Sequence, residues 1–245
     1  MIHHLDTTTS TNDDARNPQY RHGDIVWAEH QTAGRGQRGH QWISPEGENL
    51  TFTMVVEPRF LPVGQQFLLC EALSVALTDT FASFGIETRI KWTNDIYAGD
   101  RKLEGVLIEH NYSGANLSRS LLGIGINVNQ TAFDPSLPNP VSMAQLTGRR
   151  YDRREVLETF ERCMLARYEQ LEHGDRESLQ HIYRERMYAL GQMRPFRRPD
   201  GSLLRGAIQG VRPSGELILR HEDGSLGEYL FKEIEFVLPH HPLSE

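Results

Sequence analysis

Apolar and polar positions alternate or recur along this chain in segments of recognisable period. Ile2 to Thr8 reads as a strand, and Ser10-Thr11-Asn12-Asp13 are helix N-cap residue types that should open a short helix. Asp24 to Gln31 and Leu50 to Glu57 read as strands, separated by a long, polar, glycine-rich loop over Thr32 to Asn49. From Gln65 to Phe84 the apolar residues Leu69, Leu73, Leu77 and Phe81 recur every fourth position, and Gly85 follows, which predicts a helix with a buried face and a glycine cap. Thr88 to Trp92, Leu103 to His110 and Ser120 to Val128 read as further strands, and a proline-rich loop covers Asp134 to Pro140.

The last third changes character. Asp152 and Glu155 form a D-x-x-E capping pattern ahead of Val156, Phe160, Cys163, Met164, Tyr168 and Leu171 at helical spacing. A second helix is expected from about Glu177 to Leu190. After Gly191, strand-like pieces (Leu203 to Val211, Glu216 to Arg220, Gly227 to Phe231, Ile234 to Leu238) are divided by the turn signals Pro199-Asp-Gly201, Pro213-Ser-Gly215 and Asp223-Gly224. The order is a mixed α+β body over 1–190, then a small β-barrel over 191–245.

With 245 residues, 38% hydrophobic and 24% charged, the chain can bury a core without disulfide staples. Its net charge of −7 argues against a surface that wraps nucleic acid. Cys70 and Cys163 sit in apolar helical patterns and read as reduced core thiols. The N-terminus has no signal-peptide pattern and no apolar run approaches a membrane span, so a cytoplasmic protein without membrane contact is expected. His3-His4 and His240-His241 lack a further ligand at metal-site spacing and are expected to be solvated.

Three segments carry candidate chemistry. In Gln31-Thr-Ala-Gly34-Arg35-Gly36-Gln37-Arg38-Gly39-His40-Gln41-Trp42, closely spaced glycines expose backbone N–H groups and the arginines add charge. Such a loop can close on phosphate or carboxylate oxygens, with Trp42 as an apolar wall, or it can be a flexible loop facing RNA or protein. It is neither a Walker A loop nor a dinucleotide fingerprint. In Lys91-Trp-Thr-Asn94-Asp95 and Arg101-Lys102-Leu-Glu-Gly105, Asp95 can serve Mg²⁺ beside a nucleotide, or Asn94-Asp95 can form an Asx turn; Lys102 can reach a phosphate or stay solvated. In Gly123-Ile-Gly125-Ile-Asn127, alternating glycines in an apolar strand imply that something packs closely on its face, and Asn127 can bind a ligand or cap the turn.

These segments, with Ser10-Thr11-Asn12 ahead of them and in this order, resemble the biotin protein ligases, strongly from about Asp6 to Asn129 and loosely beyond. The resemblance implies a catalytic domain of the class II aminoacyl-tRNA synthetase-like α/β fold, then an SH3-like barrel. It implies that the chain makes biotinyl-AMP from biotin and ATP, with Mg²⁺, and passes biotin to a lysine of a biotin carboxyl carrier domain. By the same resemblance Ser10, Thr11, Asn12 and Gln31 meet the ureido ring of biotin. Gly34, Arg35, Gly36 and Gln37 close over its carboxylate and the phosphates, with Arg38 adding charge. Lys102 stands at the reacting carboxylate and α-phosphate, Asn94 and Asp95 where metal and nucleotide meet, and Trp42 and Asn127 beside adenine.

Chemistry makes sense of these roles. Charge gathers where two anions meet, so Lys102, Arg35 and Mg²⁺ should offset it. The carrier amine must shed a proton before it attacks, and Asp95 is the candidate to help. Two positions depart from the family pattern: Gln37 stands where some relatives have arginine, which throws charge onto Arg35 and Arg38, and Thr93 stands where proline is common. Two rivals are a lipoate ligase or octanoyltransferase on the same fold and a biotin-sensing repressor. Against the second stand the acidic charge and a first strand that begins near residue 2. No motif specifies an oligomeric state.

Overall fold

The computed structural model describes residues 1–36 and 41–238. Among the described residues, twelve strands and five α-helices follow one another as β1 (Ile2–Thr8), α1 (Thr11–Asp14), β2 (Ile25–Gln31), β3 (Leu50–Val56), α2 (Phe67–Ser83), β4 (Arg89–Lys91), β5 (Asp95–Ala98), β6 (Arg101–Ser113), β7 (Asn116–Ile126), α3 (Met143–Thr147), α4 (Arg153–Glu172), α5 (Arg176–Glu185), β8 (Met193–Arg197), β9 (Leu203–Val211), β10 (Leu217–His221), β11 (Leu226–Tyr229) and β12 (Glu235–Phe236).

The first seven strands form one mixed sheet in the order β1-β2-β3-β7-β6-β5-β4. Only β1 and β2 run parallel; the other neighbours are antiparallel. Register divides the two faces. Leu50, Phe52 and Met54 stand opposite Ile126, Ile124 and Leu122, which builds an apolar face. Helices α2 and α4 cover it, with Phe52 meeting Phe160 of α4 edge-on at 5.1 Å. The alternate positions pair Thr51 with Gly125 and Thr53 with Gly123, so the other face is small and polar. Helix α1 lies on that side. The expected stripe of α2 is buried, and so is nearly all of its circumference, because α4 and α5 pack behind it. Asp152 caps α4 through Arg154 N at 2.8 Å, and Gly85 takes a left-handed φ of +74° after α2, as the cap residues predicted.

The structure departs from the sequence pattern in four places. Helix α5 stops at Glu185 rather than near Leu190, because Arg186 O and Tyr188 N bond to Ile90 of β4 instead of continuing the helix. Strand β5 was hidden in the turn after Trp92, where the Trp92–Thr93 peptide is cis. Short α3 is closed by a reciprocal Ser142–Gln145 capping box. Strand β8 lies just after Gly191, where no strand was expected.

Strands β8 to β12 form a five-stranded antiparallel sheet in the order β11-β10-β9-β8-β12. It docks on the first body through Gly215, whose O accepts Trp92 Nε1 at 3.0 Å. A Cβ at Gly215 would lie 3.1 Å from Phe67 Cγ. Arg184 Nε donates to Gln209 O at 2.8 Å beside that contact. Cys70 and Cys163 are both free thiols. Among the described residues no helix is long and apolar enough to cross a membrane.

Candidate functional site

The polar face of the large sheet gathers most of the expected residues. Gly105 and Gly125 are cross-strand partners on β6 and β7, and Trp42 lies over both. A Cβ at Gly125 would fall 2.6 Å from Trp42 Nε1, and one at Gly105 would fall 3.1 Å from Trp42 Cζ3. Gly125 and its cross-strand partner Gly105 thus admit an indole, a close approach of the kind that the alternating glycines of β7 implied. Trp42 Nε1 has no hydrogen-bond partner among the described residues. The loop that carries Trp42 is pinned at its two ends, with Trp42 N donating to Gly34 O at 3.0 Å and an Arg35–Gln41 bridge beside it. Gly34 is needed there, since any Cβ would run into Trp42 O and approach Gln31 Nε2 to 3.0 Å. Gly36 adjoins that bridge, and Gln37 and Arg38 lie outside the described residues.

At one end of this face Ser10, Thr11 and Asn12 are buried together. Ser10 is the N-cap of α1 in extended conformation, but its side chain makes no capping bond. Thr11 N donates to Gln31 Oε1 at 2.8 Å, and Thr11 Oγ1 donates to the same atom at 3.2 Å. Thr53 Oγ1 donates to Asn12 Oδ1 at 2.6 Å and lies 2.9 Å from Thr11 Oγ1. Asn12 Nδ2 donates to Glu109 Oε2 at 3.0 Å. Asn12 is 3% exposed with both ends of its amide engaged, so it positions its neighbours rather than offering free polar atoms. It also fills the space over Gly123, where a Cβ would lie 3.0 Å from its Cγ. Thr53 and Glu109 were not singled out from sequence. Alternation on β3 and β6 would have found them, since each shares the face of a glycine partner.

At the other end stands Asp95, the first residue of β5. Its Oδ1 accepts from Lys102 Nζ at 2.7 Å, and Lys91 Nζ lies 3.5 Å from its Oδ2. Burial works to raise the Asp95 pKa, but the Lys102 and Lys91 ammonium groups hold it below the ordinary carboxylate value. Glu104, on the opposite side of β6, is fully buried, and among the described residues its carboxyl oxygens have no side-chain partner. Burial, and then the charge of Asp95, push its pKa well above the ordinary carboxylate value. Lys102 reaches toward the Trp42 patch: a Cβ at Gly105 would lie 3.3 Å from its Cε and 3.4 Å from its Nζ.

The remaining expected residues are placed differently. Arg35 turns away from Lys102 to Asp13 Oδ1 at 2.7 Å and Glu109 Oε2 at 3.6 Å, at the α1 end of the face. Asn127 is buried and spends its amide on Val141 O at 3.2 Å, tying two loops together. Asn94 is buried in the turn between β4 and β5 and accepts from Thr93 Oγ1 at 3.1 Å. His3 is partly exposed and His4 exposed, in keeping with the expectation of solvated side chains, and they lie 3.4 Å from Asp24 and 2.8 Å from Glu29. His240 and His241 lie outside the described residues.

The residues present do not fit a resident Mg²⁺. Both Asp95 oxygens already face ammonium groups, and no three His, Cys, Asp or Glu side chains converge among the described residues.

The arrangement places an ammonium–carboxylate pair, a platform of indole on glycine and a buried hydroxyl–amide cluster along one sheet face. Chains of known type resemble this one in sequence and fold. The model of the biotin/lipoate A/B protein ligase family matches residues 3–127. The bifunctional ligase/repressor BirA of Bacillus subtilis is 30% identical over 233 residues, 91% of this chain and 70% of that one. The biotin–[acetyl-CoA-carboxylase] ligase of Paracoccus denitrificans is 29% identical over 210 residues, 81% of this chain and 85% of that one. Among solved structures, the Aquifex aeolicus biotin protein ligase in complex with biotin and ATP superposes with a TM-score of 0.82 at 24% identity, covering 97% of this chain and 99% of that one, so the two share a fold. The chain belongs to the biotin/lipoate A/B protein ligase family.

Proposed function

We propose that this chain is an ATP-dependent biotin protein ligase, which joins biotin to AMP and passes it to a lysine of a biotin carboxyl carrier domain in the cytoplasm. The observation that supports this most is the alignment of Lys102, Trp42 and the Thr11–Gln31–Thr53 cluster along one face of one sheet. The cluster offers hydroxyl and amide groups that both donate and accept, which suits a ureido ring. Ser10, Thr11 and Gln31 are its contact residues, and Asn12 holds them in place. Trp42, with Gly34 and Arg35 beside it, walls off the middle, where adenine and the acyl phosphate lie away from water.

In the first step a biotin carboxylate oxygen attacks the α-phosphorus of ATP, and pyrophosphate leaves. Lys102 moves its ammonium group from Asp95 toward the oxygens that gather charge, and preplacement of that charge is its contribution. Arg35 exchanges its surface partners for the same anions. In the second step the carrier amine attacks the acyl carbon and AMP leaves; Asp95 is the group assigned to help take the proton. In this reading residues 1–190 form a body like the class II aminoacyl-tRNA synthetases and residues 191–245 an SH3-like barrel.

Incubation of the protein with biotin, ATP and Mg²⁺ tests the reading: release of pyrophosphate and a bound biotinyl-adenylate are expected. Mass analysis of the adenylate formed from equal biotin and lipoate separates the two branches of the family. Lipoyl-adenylate as the product, or no pyrophosphate with either acid, would overturn the biotin assignment.

A further inference from the structure

Two lysines share the carboxylate of Asp95, and they are held in different ways. Lys102 takes Oδ1 at 2.7 Å, has a third of its side chain exposed and stands beside the Trp42 patch. Lys91 stands 3.5 Å from Oδ2 and is only 17% exposed. Its ammonium group lies between two aromatic rings, 5.4 Å from the centre of Tyr97 and 5.2 Å from that of Phe236. Strand register sets the first half of this cage, because Lys91 pairs with Asp95 across the β4–β5 turn. The second half comes from β12 of the small sheet, where Phe236 also packs on Phe196 at 4.9 Å.

We infer that Lys91 is a positioning residue for adenylate formation, keeping Asp95 neutralised while Lys102 leaves that carboxylate to meet the anions of biotin and nucleotide. The inference rests on the ligase reading above. Its physical basis is the cost of an unpaired charge. If Lys102 were the sole partner, its departure would strand a largely buried carboxylate next to the buried acid of Glu104, and that cost would oppose the departure. With Lys91 caged on the other oxygen, Lys102 moves and Asp95 keeps a counter-charge. The small sheet thereby reaches the reacting groups through Phe236, without touching substrate.

The test is a double-mutant cycle on the full chain, read as pyrophosphate release in a single turnover with biotin and MgATP. Lys91→Met keeps the length of the side chain and removes its charge. It is expected to slow release about tenfold, within the range of couplings between charges in contact. Lys91→Arg should recover most of the rate. In an Asp95→Asn background, Lys91→Met should change little, because the Asp95 charge that Lys91 offsets is gone. A wild-type rate for Lys91→Met, or the same loss in both backgrounds, overturns the inference. If Lys91→Met does not fold, the cycle is run with Lys91→Gln in both backgrounds, and the same two outcomes decide. If Asp95→Asn is too slow to time, the cycle is read in affinity for a non-hydrolysable biotinyl-adenylate analogue. Failure of the wild type to release pyrophosphate sinks the ligase reading; an additive cycle with an active wild type sinks only the role of Lys91.

Discussion

Trp42 lies directly on Gly125, so close that a Cβ at that glycine would sit 2.6 Å from the indole Nε1. Gly105 flanks the same ring from the neighbouring strand, and Lys102 borders it. This glycine pair thus seats the indole, and Gly105 also lies beside the ammonium end of Lys102.

Gly125→Ala is expected to displace the indole, with a stability loss of about 1–3 kcal/mol, the usual size of an overpacking penalty, and a marked loss of adenylate formation. Gly105→Ala, where the contact is 3.1 Å, should cost less on both counts. Thermal melts and pyrophosphate release check this; equal behaviour of the two variants would show that the indole is not pinned at Gly125.

Lys102→Met should lower the rate of adenylate formation by about 10²–10³, the scale of losing one preplaced group at a developing charge. Lys102→Arg should recover part of it, because a guanidinium keeps the charge but not the shape of an ammonium. Single-turnover kinetics with saturating biotin read the effect; a changed KM with an unchanged rate constant would assign Lys102 to ground-state binding instead.

Arg35 is 40% exposed and pairs with Asp13 and Glu109 at the surface. Arg35→Ala should move stability by no more than about 0.5 kcal/mol, as exposed pairs do, while the adenylate escapes faster. Dialysis of the complex followed by mass analysis measures the escape. Slow escape from the variant would confine Arg35 to its ion pairs.

Thr53→Val deletes the hydroxyl that Asn12 Oδ1 accepts from. A buried acceptor without its donor costs about 1–3 kcal/mol, so the melting temperature should fall, and biotin should bind more weakly as Asn12 and Thr11 lose their anchor. Calorimetry with biotin distinguishes this from a purely structural loss, in which affinity of the folded fraction would not change.

Glu71 on α2 is buried, one of its oxygens has no partner, and burial raises its pKa to about 8. Its folded pKa exceeds the unfolded one, so stability is fully present below the unfolded value near 4.5 and declines as pH rises towards 8. Glu71→Gln removes that decline. The variant should gain melting temperature over the wild type at pH 8 and much less at pH 5; a pH-independent difference would refute the assignment.

Much of this molecule was legible in the chain. The four-residue apolar spacing of Leu69, Leu73, Leu77 and Phe81 gave α2, and the alternating glycines of β7 announced a close approach before its partner was known. The order of the loop, the Asn-Asp turn and the lysine beyond it pointed to one chemistry. What that pattern did not contain was partners. Arg35 carries the right charge for phosphate, yet without an anion the nearest opposite charges are Asp13 and Glu109. Asn127 has the right amide for a ligand, yet Val141 O takes it.

The sequence by itself determined the periods, caps and turns, because these depend on neighbours within a few positions of one another. It also determined which residue types were available for binding anions. Only the tertiary structure decided which of them meet: Trp42 with Gly125, Thr53 with Asn12, Lys91 with both Asp95 and a phenylalanine 145 positions further along. The physical reason is that strand pairing and sheet docking choose among distant partners by total burial and charge balance. No local pattern encodes that choice.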